Sequence, residues 1–465
     1  MPARAIFGDG PFRFPVASPP CGRGETLPVG RHCRPPATPP PFPGVAGVVV
    51  RQFRFSLSSG NDWQYHNGRA ATPRGIVAMN TWTFVVLYAA TVSGISSIYA
   101  PQPLLPILAN AFGVSEATAS LVTTATMLPL GLAPLAYGFF LDAVPAKPLI
   151  GASLALLACC TAGLCLAPDF GWFLAIRVAQ GLLVPALLTS LMTYLATSAT
   201  AASLRRVMAA YIAVTVFGGF FGRFFAGLSA EALGWQIPFY GLAVALALCA
   251  AACRFLPPDG RAAFSPIRLD YAPQVLRKKG FIATYFIVAL LFFVFSGMLN
   301  LLPFRLGKLD GGYSPFRAGA MYAGYLMGII ACLTSHRFSR RLGGPTRTMA
   351  VGAAVVIAAA AVFSLPSQAA IFASVFVLCA GMFLAHSVAP GVLNSEEIEH
   401  KGLVNGLYIS FYYSGGALGA YLPGLVLDRF GERVAAGLLL CAAILAALVA
   451  ARLDGEAFSG EAKSG

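Results

Sequence analysis

The stretch FIATYFIVALLFFVFSGMLNLLPF, residues 281–304, decides the fold class of this chain. It contains no charged side chain and is longer than the roughly 20 residues that a helix needs to cross a bilayer. Of the 465 residues, 57% are hydrophobic and only 11% are charged, whereas soluble domains average about 25% charged residues. The sequence therefore predicts an all-α polytopic membrane protein and argues against a soluble enzyme, a coiled coil or a secreted disulfide scaffold.

Similar apolar stretches recur along the chain, and twelve of them are predicted to be transmembrane helices. They lie near 82–104, 117–141, 147–167, 170–195, 206–229, 236–256, 281–304, 315–336, 347–365, 369–392, 402–426 and 433–452. Ser115 and Ser314 precede the second and eighth spans and are predicted N-caps. The longest interior connection divides the spans into six and six. We therefore predict two six-helix pseudo-repeat bundles at 79–256 and 281–452, a basic cytoplasmic linker at 257–280 and a tail at 453–465.

Residues 1–78 differ in composition from the rest of the chain. They hold thirteen of the 33 prolines together with many arginines, and no helical period is sustained, so we predict disorder. No apolar stretch here is followed by a signal-peptide cleavage site. Because Met79 directly precedes the first long apolar span, our interpretation is that translation starts natively at Met79. The alternative is a regulatory or nucleic-acid-binding arm.

The net charge of +14 predicts membrane topology rather than nucleic-acid binding. The connections after spans two, four, six, eight and ten contain fourteen basic residues: Lys147, Arg205, Arg206, Arg254, Arg261, Arg268, Arg277, Lys278, Lys279, Arg337, Arg340, Arg341, Arg347 and Lys401. The opposite connections contain five: Arg305, Lys308, Arg317, Arg429 and Arg433. Since cytoplasmic loops carry the excess of basic residues, both termini are predicted to be cytoplasmic.

Four motifs in this frame resemble a known transporter family. They are Tyr99–Pro106, Gly138–Lys147, the Arg-x-x-Gln-Gly pattern of Arg177–Gly181, and the glycine-rich run Gly218–Arg223. Together they make residues 80–452 similar to the major facilitator superfamily. Finer patterns resemble its drug/proton antiporter group and the YnfM-type branch of inner-membrane exporters; they are Gly222-Arg223, Gly381–Ser387 and Asn405–Tyr413.

This resemblance implies a monomeric transporter of the bacterial-type inner membrane that works by alternating access. It also implies a cytoplasmic gate, formed by Gly138, Asp142 and Lys147 in the first half and by Ser339 and Arg340 in the second. The first motif departs from the family pattern, because Ala143, Pro145 and Ala146 replace the usual Arg, Gly and Arg. The alternative for these residues is ordinary solvation of two short loops.

Three polar residues inside apolar spans are candidates for coupling: Arg177, Arg223 and His386. A charge near the bilayer centre costs at least about 2.5–3.5 kcal/mol, so such a residue faces a cavity or a partner. Arg177 has either a conformational role, as the resemblance implies, or a structural role in bonding helix carbonyls. Arg223 either holds an anionic substrate group or bonds between helices. His386 either accepts a proton or is a packing residue.

Candidate cavity residues are Tyr99, Gln102, Arg223, Asn300, Tyr408 and Tyr412. The alternative for each uncharged one is an interfacial aromatic or an ordinary helix contact. No Asp or Glu falls in the middle of a span, which disfavours a cation carrier built on a central carboxylate. Arg177, Arg223 and this absence favour neutral or anionic cargo.

The ten cysteines form no CxxC pair or Cys/His cluster, and no hydrolase, metalloprotease or P-loop motif is present. We therefore predict no cofactor, no metal and no enzymatic activity. The resemblance implies proton-coupled efflux of small amphiphilic molecules, with the lipid bilayer, a small-molecule substrate and a proton gradient as partners. Uptake or facilitated transport of a sugar or organic acid is the alternative within transport, and a non-transporting receptor is the alternative outside it. A membrane-embedded enzyme would need a catalytic cluster, which the sequence lacks.

Overall fold

The computed structural model describes residues 81–140, 145–199, 203–258, 269–309, 312–397 and 400–453. All of them belong to one compact unit. The predicted N-terminal tail, residues 259–268 of the predicted linker, the C-terminal tail from residue 454 and the gate residue Asp142 lie outside the described residues.

The described part of the chain is helical and contains no strand. Its first seven α-helices, the N-terminal set, are α1 (Thr81–Tyr99), α2 (Leu105–Phe112), α3 (Glu116–Phe140), α4 (Ala146–Gly163), α5 (Phe170–Ser198), α6 (Leu204–Leu233) and α7 (Ile237–Cys253). A short α8 (Ala272–Arg277) follows. The C-terminal set is α9 (Lys279–Leu309), α10 (Pro315–Met321), α11 (Tyr325–Leu342), α12 (Pro345–Phe363), α13 (Gln368–Glu396), α14 (Lys401–Phe430) and α15 (Glu432–Ala451). Single 3₁₀ turns at Gln102–Leu104 and Tyr322–Gly324 join α1 to α2 and α10 to α11.

Each of the twelve predicted spans corresponds to one helical segment, which confirms the predicted fold class. Ten segments in the described residues are long and apolar enough to cross a membrane. The other two are α7, which is apolar but has 17 residues, and α14, which has 30 residues but many Gly and Tyr. The composition of α14 fits its position, because a Cβ at Gly415 or Gly419 would lie 2.1 Å from a carbonyl oxygen of α9. Small residues thus allow two transmembrane helices to touch along their backbones.

Prolines account for how the first and seventh spans end. The first span was expected to end near residue 104, but helix α1 ends at Tyr99, because Pro101 and Pro103 carry no amide hydrogen with which to continue it. The seventh span was expected to end near residue 304, yet α9 continues through Pro303 to Leu309. Pro303 leaves the Leu299 carbonyl without its helical donor, and the Tyr322 hydroxyl donates to that oxygen at 2.9 Å instead.

The longer α9 corrects the placement of Arg305, which was expected in an outer loop. Arg305 is only 5% exposed, and its Nε lies 2.6 Å from a carboxylate oxygen of Glu432. Its guanidinium also donates to the carbonyl of Phe363 at the end of α12. The two predicted serine caps are confirmed, since Ser115 and Ser314 each accept an amide hydrogen bond at 3.1 Å.

The two helix sets meet along two seams. In the first seam α3 packs against α14, and in the second α6 packs against α10 and α11. The first seam includes a hydrogen bond from the Ser410 hydroxyl to the Gly131 carbonyl, 2.7 Å long. The candidate substrate and coupling residues lie between or beside these seams.

Candidate substrate and coupling site

Arg223 lies on α6 and is completely buried. Its Nε donates to the Gln102 side-chain oxygen at 2.6 Å, and one terminal nitrogen donates to the Gly219 carbonyl at 2.5 Å. Gln102 belongs to the 3₁₀ turn that follows α1, so the Pro101-Gln102-Pro103 sequence places an amide side chain where the helix stops. Arg223 is therefore bound to the end of the first span.

Three tyrosine rings surround the Arg223 guanidinium, and we call them the tyrosine cage. The guanidinium carbon lies 4.2 Å from the ring centre of Tyr99, 4.6 Å from that of Tyr325 and 5.0 Å from that of Tyr322. These distances are within the range of cation–π attraction. Tyr99 belongs to the N-terminal set and the other two to the C-terminal set, so the cage spans both sets.

No carboxylate pairs with Arg223 among the residues that the structure describes. Carboxylates there pair with other cations, as Glu397 does with Lys278, Glu432 with Arg305 and Glu116 with Lys308. The described acidic side chains lie at helix ends or in connections, as the sequence predicts. The charge of Arg223 is thus stabilised by neutral acceptors and ring faces but is not neutralised by a carboxylate. A guanidinium in this arrangement can still attract an anion.

Gln102 also connects Arg223 to the C-terminal set. Its Nε2 donates to Asn300 Oδ1 at 2.9 Å, and the Thr123 hydroxyl donates to the same oxygen at 2.8 Å. The Asn300 amide in turn donates to the Ala420 carbonyl at 3.0 Å. The structure therefore brings the predicted residues Tyr99, Gln102, Arg223 and Asn300 into one buried polar cluster between the two sets.

The remaining predicted residues form a second cluster around His386 on α13. The Tyr408 hydroxyl lies 2.7 Å from His386 Nδ1, and the Tyr412 ring centre lies 4.6 Å from the imidazole centre. The Tyr412 ring also stacks on Phe292, with 3.8 Å between the ring centres. The Phe383 ring contacts both His386 and Tyr325, at 6.5 and 6.0 Å, so one aromatic ring separates this cluster from the tyrosine cage.

Arg177 on α5 forms a separate site within the N-terminal set. It is 1% exposed and donates to the carbonyls of Val122 at 3.1 Å, Ser97 at 3.0 Å and Ile98 at 2.5 Å, and to the Gln180 side chain at 2.6 Å. Ser97 lies four residues before Pro101, which has no amide hydrogen to offer its carbonyl. The geometry therefore matches the structural interpretation, in which Arg177 caps the end of α1.

The residues of the predicted cytoplasmic gate are brought together only in part. Lys147 donates to the carbonyls of Arg254, at 3.1 Å, and of Leu256, just beyond the end of α7. Gly138 lies in the last turn of α3, whereas Ser339 and the exposed Arg340 lie in the last turn of α11. The gate remains a prediction, since its carboxylate, Asp142, lies outside the described residues.

Sequence reasoning missed Tyr322 and Tyr325 as candidate residues, and also Thr123 and Phe292. The Tyr322-Ala-Gly-Tyr325 spacing was an available signal, because residues three apart share one helix face. For metals, the described residues contain no group of three or more His, Cys, Asp or Glu side chains that could hold an ion. The site is therefore one of hydrogen bonds, aromatic faces and an arginine.

Comparisons with known proteins agree with this architecture. The family model of the Major Facilitator Superfamily matches residues 86–420. The MFS-type transporter YybF of Bacillus subtilis (strain 168) is 26% identical over 354 residues, which cover 74% of this chain and 86% of YybF. The inner membrane transport protein YnfM of Escherichia coli (strain K12) is 26% identical over 379 residues, which cover 79% of this chain and 89% of YnfM.

Solved structures share the fold at lower sequence identity. The nucleoside transporter NupG superposes with a TM-score of 0.69 at 14% identity, and the match covers 80% of this chain and 99% of NupG. A bacterial homologue of the human lysosomal transporter Spinster, in an inward-facing and occupied conformation, superposes with a TM-score of 0.62 at 16% identity. That match covers 81% of this chain and 98% of the homologue.

Proposed function

This chain belongs to the major facilitator superfamily of membrane transporters, and from that premise we propose that it exports small amphiphilic molecules, neutral or anionic, in exchange for protons. In this proposal it acts as a monomer in the bacterial inner membrane, with both termini in the cytoplasm, and its two six-helix bundles expose a central site alternately to each side. The single observation that carries the proposal is Arg223, a buried cation without a carboxylate partner among the described residues.

The surroundings of Arg223 suit a site that changes during transport. A buried charge in a membrane is costly, and such residues mark substrate or ion pathways. Gln102 and Tyr99 hold Arg223 from one helix set, while Tyr322 and Tyr325 hold it from the other. Any movement of one set against the other therefore removes part of the tyrosine cage and leaves a guanidinium open to a substrate anion.

The aromatic side chains near His386 supply the apolar part of the proposed site. Phe292 and Tyr412 are stacked, and Tyr408 and His386 add polar atoms beside them. Flat rings of this kind bind the apolar body of an amphiphile, while Arg223 binds its negative or polar end. In this proposal His386 accepts the proton, and the predicted gate of Gly138, Asp142, Lys147, Ser339 and Arg340 closes the cytoplasmic end.

Transport by purified protein in liposomes tests the proposal. With an imposed proton gradient, we expect anionic fluorescent amphiphiles to cross the membrane in one direction while protons cross in the other. Arg223→Met, which keeps the chain length but removes the charge, should lower anion flux at least about tenfold, equal to about 1.4 kcal/mol. Arg223→Lys should retain part of the flux, and the exposed Arg452→Met is the matched control.

Further arms of the same assay test the coupling and the alternatives. His386→Gln should allow substrate movement that no longer follows the pH gradient; unchanged coupling would exclude His386 as the proton carrier. Undiminished anion flux in Arg223→Met would overturn the proposed substrate site. Net uptake in oriented liposomes would favour the alternative of sugar or organic-acid uptake. Ligand binding without any flux would favour a receptor.

A further inference from the structure

The last turn of α6 carries a carboxylate that reaches across to the C-terminal set. Glu231 Oε2 accepts a hydrogen bond from the Ser314 hydroxyl at 3.0 Å and another from the Phe316 amide at 3.3 Å. Phe316 is the second residue of α10, and Ser314 is the N-cap of that helix. Glu231 therefore supplements the N-terminal cap of a helix that belongs to the other set.

The last turns of α14 repeat this arrangement in the opposite direction. Asp428 Oδ2 accepts a hydrogen bond from the Ala117 amide at 3.2 Å. Ala117 is the second residue of α3, and Ser115 is its N-cap. Here a carboxylate of the C-terminal set caps a helix of the N-terminal set. The two contacts lie at the same end of the molecule, which the charge distribution predicts to be the outer end.

The two contacts also share a sequence pattern. Glu231 follows Gly227 by four residues, and Asp428 follows Gly424 by four residues. Each glycine faces the helix that its carboxylate caps: a Cβ at Gly227 would lie 2.3 Å from the Pro315 carbonyl oxygen and is excluded, whereas one at Gly424 would lie 3.4 Å from the Ala117 Cα, an ordinary contact. The fifth and eleventh spans thus end in the same way, as related positions of a repeat would.

Helix electrostatics make these carboxylates sensitive to the distance between the sets. A negative charge is disfavoured near the C-terminus of its own helix and favoured at the N-terminus of another. Glu231 and Asp428 each lie near the C-terminus of their own helix, where a negative charge is disfavoured. Each also lies at the N-terminus of a helix from the other set, where a negative charge is favoured. Their charges are therefore better stabilised when the sets are in contact at this end than when they are apart.

We propose that Glu231 and Asp428 form a paired carboxylate latch that holds the predicted outer end closed and is released when that end opens. The latch rests on the alternating-access part of the proposed function and is independent of substrate, direction and coupling ion. Lys308 and Glu116 add a third contact between the sets at the same end, with a separation of 3.1 Å.

Distance measurements between spin labels test the latch. Leu233 and Phe430 end α6 and α14 and are 68% and 67% exposed, so a cysteine at each position reports the separation of the sets at this end. The native cysteines to be replaced first by alanine are Cys21, Cys33, Cys159 and Cys441. We expect Glu231→Gln and Asp428→Asn each to raise the open-to-closed ratio about threefold. The double variant should show the product of the two effects.

Asp169→Asn is the matched control, because Asp169 accepts a hydrogen bond from the Trp172 amide at 3.0 Å at the same end but within one set. It should leave the distance distribution unchanged. The latch is overturned if the double variant keeps the distances of the parent protein, or if the control shifts them equally. The measurement needs no substrate. If the protein transports nothing but the double variant opens at this end, the proposed function is contradicted and the proposed latch is still supported.

Discussion

Arg177 and Arg223 are both buried arginines in transmembrane helices, but their partners differ in kind. Arg177 donates four hydrogen bonds, three of them to backbone carbonyls, and every partner belongs to the N-terminal set. Arg223 donates two among the described residues and is otherwise surrounded by the rings of the tyrosine cage, two of which come from the opposite set. One arginine is fixed by its own half, whereas the other is shared between halves.

From this difference we propose that Arg177 is structural and that Arg223 is functional. Helix carbonyls within one half keep their positions when the halves move, so the bonds of Arg177 survive a transport cycle. The two hydrogen-bond acceptors of Arg223 belong to its own half, but we expect Tyr322 and Tyr325 to leave it when the halves separate. We therefore expect that a buried arginine in a two-part transporter can be assigned by asking whether one half or both halves surround its guanidinium.

The strongest test of this comparison is stability. Arg177→Met removes four hydrogen bonds and leaves buried carbonyls unsatisfied, so we expect a loss of about 3 kcal/mol in the free energy of unfolding. Arg223→Met should change that free energy by less than about 1 kcal/mol, because it removes only two hydrogen bonds and also removes the desolvation cost of a buried charge. Unfolding by SDS titration in mixed micelles measures both. Equal losses would erase the distinction between the two sites.

The two glutamines beside the arginines should show a smaller contrast. Gln180 accepts from Arg177 and donates to Thr161 at 2.9 Å, so Gln180→Leu should cost about 1–2 kcal/mol of stability and leave flux per folded molecule unchanged. Gln102→Leu should instead lower flux, since it disconnects Arg223 from Asn300. Liposome flux normalised to folded protein, measured beside unfolding, separates the two. A loss of flux in both variants would contradict the assignment.

The smallest expected effect concerns the ring faces of the tyrosine cage. Tyr325→Leu removes one cation–π contact with Arg223 and should cost about 1 kcal/mol of stability. Tyr325→Phe keeps the ring and should cost less than about 0.5 kcal/mol. The same unfolding titration compares them. If phenylalanine were as damaging as leucine, the hydroxyl rather than the ring face would be the important group.

Much of the fold could be predicted from composition alone. Helices dominate because lipid offers no partner for backbone polar groups, so each apolar stretch must satisfy its own hydrogen bonds. Local chemistry also predicted two helix starts correctly, at the N-caps Ser115 and Ser314. The sequence likewise singled out Arg223, because a charge in an apolar helix is rare enough to require a reason.

What the sequence could not supply was the set of contacts between distant segments. The bond between Gln102 and Asn300 joins residues 198 positions apart, and no local pattern predicts it. The seventh span was expected to end near residue 304, but α9 continues because the Tyr322 hydroxyl, from a distant segment, satisfies the carbonyl that Pro303 frees. Tertiary donors thus override a local signal.

Helix α6 carries both Arg223 and Glu231 and runs without a proline from Leu204 to Leu233. Its 30 residues make a rod about 45 Å long, and the two side chains sit about 12 Å apart along it. If this helix moves as a rigid rod, Glu231 cannot move away from α10 unless Arg223 also moves relative to Tyr322 and Tyr325. In the proposed cycle, release of the latch and exposure of the Arg223 charge would then be one mechanical event, with no separate signal needed between them.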